Sequence, residues 1–176
     1  MRHLIVLPGN SSKNKAWGEL ILEHYTPQFD SLFMLEYDHW ASGEANINFA
    51  IEEVKLKTHI ESLSSDTEII LFAKSAGSLL ALQAIHHGVL KPVQVVFFGM
   101  PLDLAADNHF KDSWAPLSEL GVTTIAFHNI ADPTTSYEFT KSMLATHNPN
   151  VELIATVGID HWYGDLNTYD DFIKLK

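Results

Sequence analysis

The chain has 176 residues, 46% of them hydrophobic and 19% charged, which is the composition of a folded protein long enough to bury a real core. Its formal net charge of −11 sets nucleic acid and anionic membrane surfaces aside as partners. The absence of cysteine excludes a disulfide scaffold, a thiolate metal site and a cysteine nucleophile.

Residues 3–7, HLIVL, form a continuous apolar run that predicts a buried parallel strand. The run is too short for a signal-peptide core, and no other run approaches a membrane span, so a soluble, cytoplasmic protein without membrane insertion is expected. A loop follows at Pro8-Gly9-Asn10-Ser11-Ser12. Residues 14–24 carry Trp17, Leu20 and Ile21 at helical spacing, and Pro27 ends that unit. Residues 31–37 predict a second strand, followed by Asp38-His39-Trp40 and a turn at Ser42-Gly43. Residues 45–63 predict the longest amphipathic helix, with Ile47, Ala50, Ile51, Val54 and Ile60 on one face and Glu52, Glu53, Lys55 and Lys57 mostly elsewhere. The third strand and its helix run from Thr67 to Gly88. Residues 93–98 are a fourth strand, and 101–120 are irregular with one short helix. Residues 122–127 are a fifth strand. Thr135-x-x-Glu138 is a capping-box pattern that opens a helix through His147. Residues 151–157 are a sixth strand, and 166–174 a closing helix.

Strands alternating with helices predict one domain over residues 1–176: an α/β, three-layer α/β/α sandwich around a mostly parallel six-stranded sheet. In such sheets the site lies beyond the carboxyl ends of the strands. The chemistry is therefore expected in the loops 8–12, 38–43, 74–77, 99–103, 128–135 and 158–164.

Those loops hold what a serine nucleophile needs. Ser75 sits where the third strand turns into a helix, with Ala73 and Gly77 as small residues on either side. A sharp strand-turn-helix needs small residues there, and it projects the serine hydroxyl above the sheet. A serine is a weak nucleophile until a base takes its proton, and the base needs an acid to fix its tautomer. His161 lies after the sixth strand and Asp132 after the fifth, giving the order nucleophile, acid, base. Asp103, after the fourth strand, competes for the role of acid. Asp160, adjacent to His161, is poorly placed to orient it. Lys74 is expected to face solvent, and His39 to lie in a surface turn or line the pocket. Trp40, Trp114 and Trp162 are expected either to wall the pocket or to pack in the core. His86 and His87 are adjacent on a helix and point in different directions, so they are not read as metal ligands.

With these residues in place the sequence resembles the α/β-hydrolase family, over nearly the whole chain and in the manner of its small, capless members. Ala73-Lys74-Ser75-Ala76-Gly77 is similar to the family's nucleophile elbow, with Ala for the first Gly. Leu4-Ile5-Val6-Leu7-Pro8-Gly9-Asn10 is similar to its strand and His-Gly loop, with Pro8 where His is common. Ile159-Asp160-His161 is similar to the family's ending at its histidine. The resemblance implies a fold without the family's two further N-terminal strands and a Ser75-Asp132-His161 triad. It also implies an oxyanion hole from the Ala76 amide and an amide of the first loop, Asn10 or alternatively Ser11. The expected activity is a serine hydrolase acting on ester-like bonds, carboxylester or thioester, of a small or exposed acyl substrate through an acyl-enzyme. No metal or organic cofactor is implied. The alternative is a hydrolase-fold binding protein with little or no catalysis.

Overall fold

The computed structural model describes residues 1–108, 110 and 113–173. Six strands form one sheet: β1 (Arg2–Leu7), β2 (Ser31–Met34), β3 (Glu68–Lys74), β4 (Gln94–Phe98), β5 (Thr123–Asn129) and β6 (Glu152–Thr156). Their order is β2-β1-β3-β4-β5-β6, and every neighbouring pair is parallel. The expected mostly parallel sheet is thus parallel throughout. The apolar runs are continuous because both faces are covered. Leu71, Ala73, Val95, Phe97 and Ala126 pack on one side against α3 (Phe49–Glu61), α4 (Ala76–His86), α6 (Ala115–Ser118) and α7 (Tyr137–His147). Val6, Ile70, Phe72, Val96, Phe98 and Phe127 pack on the other against α1 (Asn14–Tyr25) and the C-terminal stretch with Tyr163 and Tyr169. Among the described residues no helix is long and apolar enough to cross a membrane.

Several elements differ from expectation for identifiable reasons. The second strand ends at Met34, but Leu35 and Tyr37 stay buried as irregular chain, with Tyr37 Oη donating to the Pro8 carbonyl at 2.7 Å. The 38–43 turn includes a short helix, α2 (His39–Ser42), closed by Gly43 at φ +80°. Among the described residues of 101–120 lie two short helices, α5 (Leu102–Asn108) and α6, the latter with Pro116 in its first turn. Helix α3 buries Glu52 and Leu56, while Ile51 and Val54 are 45% and 64% exposed. Glu52 is drawn inward because its carboxylate accepts the Asp38 N–H at 2.7 Å and pairs with Lys55 at 2.9 Å. The closing helix shortens to α8 (Asn167–Asp170), and residue 174 of the expected helix lies outside the described residues.

The N-cap of α7 is Ser136 and not Thr135. The Ser136 hydroxyl accepts the Phe139 N–H at 3.2 Å, whereas the buried Thr135 hydroxyl donates to Met100 O and to Asp103. Ser136→Ala is therefore expected to destabilise the fold by about 1 kcal/mol, measured as a lower urea midpoint with unchanged slope. Thr135→Ala would act through the Met100 and Asp103 contacts instead.

Candidate active site

Ser75 links β3 to α4 with φ 51° and ψ −126°, a backbone conformation that is strained for any residue but glycine. The bend is held from both sides: the Ser75 N–H donates to Phe98 O at 2.9 Å, and Ser75 O accepts the Ser78 N–H at 2.8 Å. The two small flanking residues have separate jobs. Ala73 is fully buried opposite Phe97 of β4. Gly77 lies so close under the first loop that a Cβ there would overlap the carbonyl oxygens of Leu7 and Pro8.

Asp132 and His161 come together from the loops after β5 and β6. The Asp132 carboxylate is fully buried and accepts four hydrogen bonds. Oδ1 takes the N–H groups of Thr134 at 2.8 Å and Thr135 at 3.3 Å. Oδ2 takes His161 Nδ1–H at 2.7 Å and the Tyr163 hydroxyl at 2.6 Å. Burial pushes this carboxyl up, but the bonds from His161, Tyr163 and Thr134 outweigh it, so its pKa lies below the ordinary carboxylate value. An ionised carboxylate only accepts, so the proton on His161 is assigned to Nδ1 and the lone pair to Nε2. His161 Nε2 is buried and has no hydrogen-bond partner among the described residues.

Ser75 and His161 flank the same point of β4. Ser75 N–H is bonded to Phe98 O, and a Cβ built on the next residue, Gly99, would lie 2.9 Å from His161 Cε1. Gly99, at φ +56°, lets the histidine loop settle against the strand end. The Ser75 hydroxyl makes no hydrogen bond to His161 in this structure.

The other acids of the region do different work. Asp103 accepts the Thr135 hydroxyl at 2.8 Å and the Ser136 N–H at 2.9 Å, which ties α5 to the start of α7. Asp160 accepts the Trp162 N–H at 2.8 Å. It is Asp132 that meets the imidazole.

Asn10 is fastened on three sides. Its carbonyl accepts His39 Nε2–H at 2.6 Å and Trp40 Nε1–H at 2.8 Å; its side chain accepts the Ile47 N–H at 2.9 Å and donates to Ala45 O at 2.9 Å. His39 is therefore a buried anchor of this loop, at 6% exposure, and neither a surface residue nor a pocket wall. The Asn10 N–H donates to no other described residue. Ala76 opens α4, where the first N–H groups have no intrahelical partner. A cavity of about 500 Å³ opens over these groups, lined by Asn10, Asn46, Ile47, Ser75, Ala76 and Leu79 among others, all uncharged. None of the three candidate tryptophans lines it. Trp40 holds Asn10, Trp114 stacks on His147, and Trp162 covers Lys74. Among the described residues no group of three or more His, Asp or Glu is placed to hold a metal ion. His86 and His87 pair instead with Glu119 and Glu53.

Two neighbours of the site were not anticipated. Lys74 is only 2% exposed, against the expectation that it faces solvent. It shares a face with Ile70 and Phe72, as strand alternation requires, and that alternation was the signal for it. Its ammonium donates to Asn14 Oδ1 at 2.5 Å and lies over the rings of Trp17 and Trp162 at 5.8 and 5.7 Å. Burial lowers its pKa to about 8, although Asp132 and Asp160 pull the other way. Tyr163 is the second. No periodicity marks it, because it sits in an irregular loop.

No protein-family model matches the chain, and no curated protein does. Solved structures do. A lidless serine hydrolase from Xanthomonas campestris is 13% identical, with a TM-score of 0.69 over 92% of this chain and 73% of that one. Acyl-protein thioesterase 2 from Zea mays is 13% identical, with a TM-score of 0.63 over 92% and 86%. An esterase from Pyrococcus furiosus is 14% identical, with a TM-score of 0.66 over 97% and 77%. The likeness covers nearly the whole chain, parallel sheet included: the chain has the α/β-hydrolase fold.

Proposed function

We propose that the chain is a serine hydrolase that cleaves ester-like bonds, carboxylester or thioester, through an acyl-enzyme on Ser75. The observation that carries this reading is the His161 Nδ1–Asp132 hydrogen bond of 2.7 Å, which leaves a buried Nε2 without a partner among the described residues, on a ring packed at Gly99, next to the Phe98 carbonyl that holds the strained Ser75 bend. In the first step His161 Nε2 takes the Ser75 hydroxyl proton as Oγ bonds to the substrate carbonyl carbon. The carbonyl oxygen becomes an oxyanion that accepts the N–H groups of Asn10 and Ala76. The imidazolium, its charge balanced by Asp132, gives its proton to the departing alkoxide or thiolate as that bond breaks. Water then loses a proton to Nε2 and attacks the acyl carbon, and the serine leaves with that proton. The uncharged cavity lining favours a neutral acyl group. The thioesterase and esterase neighbours lend weight to the bond class.

The unmade Ser75–His161 hydrogen bond favours one other reading, a hydrolase-fold protein that binds its ligand without efficient turnover. Incubation with a fluorophosphonate followed by intact mass separates the two. A hydrolase gives a single adduct on the wild type, none on Ser75→Ala and a much slower one on His161→Ala. A folded wild type that stays unlabelled removes the hydrolase reading.

A further inference from the structure

We infer that Tyr163 is a positioning residue for the acid–base pair, its hydroxyl sharing with His161 a single oxygen of Asp132 and thereby aiming and weakening the pull of that carboxylate on the imidazole. This rests on the reading of Asp132 and His161 given above.

The two non-glycine residues with positive φ among the described residues are Ser75 and Tyr163, at 51° and 56°. Both are in this site. Strain of this kind persists only where the surroundings over-determine it, and Tyr163 is held at its carbonyl and at its hydroxyl. Its carbonyl accepts Trp17 Nε1–H at 3.1 Å. Its hydroxyl oxygen accepts the Asn129 N–H at 3.1 Å and donates to Asp132 Oδ2 at 2.6 Å. The direction of that proton follows from its partners: an amide can only donate and an ionised carboxylate only accept. The ring is 2% exposed, meets the His161 ring edge-on at 5.7 Å and occupies space that a side chain at Gly99 would take, since a Cβ there would be 2.7 Å from Tyr163 Cε2. Burial, and then the hydrogen bond to Asp132, push the phenol pKa well up, so it remains a donor throughout the working range.

The arrangement has a consequence for His161. Asp132 Oδ1 is already occupied by two backbone N–H groups, so the charge available to the imidazole resides on Oδ2. The Tyr163 proton draws on that same oxygen and fixes its direction. Without the hydroxyl, Oδ2 leans wholly on Nδ1–H and loses one of the two donors that fix its direction toward the imidazole.

The test is Tyr163→Phe, which keeps the ring. The expected result is a kcat about tenfold lower on a chromogenic ester, a KM within about twofold, and a downfield move of the His161 Nδ1–H proton resonance. Site-specific 3-fluorotyrosine at 163, a stronger donor of the same shape, should move that resonance upfield, and it serves if Tyr163→Phe does not fold. A residue that only supports the fold would lower the melting temperature and leave both the resonance and kcat where they were; that result overturns the inference. The resonance reports on Asp132–His161 without turnover. If the wild type fails to label with fluorophosphonate while the resonance still responds to Tyr163, the hydrolase reading fails and the positioning contact stands.

Discussion

Asp132→Asn is expected to lower kcat by about 10³–10⁴-fold while leaving the fold intact. The direction follows from the donors around the carboxylate. Oδ1 faces two N–H groups, of Thr134 and Thr135, so an asparagine must place its own oxygen there. Its NH₂ then occupies the position of Oδ2, facing His161 Nδ1 and the Tyr163 hydroxyl. An amide that donates to Nδ1 selects the tautomer with the proton on Nε2, and that nitrogen can no longer take a proton from Ser75. Asp103→Asn is the matched control. Its carboxylate touches Thr135 and Ser136 and stands apart from the imidazole, so kcat should stay within about threefold of wild type. Ester turnover and the rate of fluorophosphonate labelling both read this. If Asp103→Asn is the damaging change, or if Asp132→Asn retains a tenth of wild-type kcat, the assignment of the acid is wrong. Stability should also respond to acid. A carboxyl held below its ordinary value contributes stability that is present above the unfolded pKa of about 3.9 and is lost as pH falls through the lower folded value. That acid-range loss should be smaller in Asp132→Asn.

The strands and their parallel order were legible because both sheet faces are buried, which leaves continuous runs such as Ile69–Ala73 and Val95–Phe98 that alternation does not interrupt. Ser75 was legible as a bend for the same local reason: Ala73 and Gly77 flank it, and Gly77 passes under the Leu7 and Pro8 carbonyls. What sequence left open were choices made by loop path. Asp132 and Asp103 follow adjacent strands, and only the turn that returns Asp132 N–H to Asn129 O, with Thr134 and Thr135 folding over Oδ1, decides which of them meets His161. The α3 face was misread because apolar spacing ignores polar demand. A buried Glu52 that serves Asp38 and Lys55 displaced Ile51 and Val54 from the interior. Tyr163 had no signal at all, since a positive φ at a tyrosine arises from its surroundings and not from its own preference. Lys74 differs from these. Strand alternation points it inward, and the usual placement of lysine at surfaces overrode that reading.

Lys74→Met is expected to make the protein more stable at pH 7, by about 1–2 kcal/mol, with the gain shrinking as the pH rises above 8. Burial lowers the folded pKa of Lys74 from 10.5 to about 8. Between those two values the unfolded chain binds a proton that the folded chain does not, so stability rises with pH across that window. Below it both states are charged, and the folded state carries the whole penalty, about 3 kcal/mol for a shift of this size. Methionine gives up the hydrogen bond that the lysine nitrogen, charged or neutral, makes to Asn14, which leaves the smaller net figure. Methionine fills the same channel without a charge and keeps contact with both indoles. Urea denaturation of both proteins from pH 6 to 10 tests this. Wild-type stability should climb above pH 8 relative to Lys74→Met, and the two curves should converge. Curves that stay parallel would mean that Lys74 titrates at its ordinary value and that water reaches its ammonium. A converging pair would mean that a cation is kept one residue before Ser75, close to Asp132 and Asp160, at a cost to the fold. That is the kind of trade a functional site makes and a purely structural one avoids.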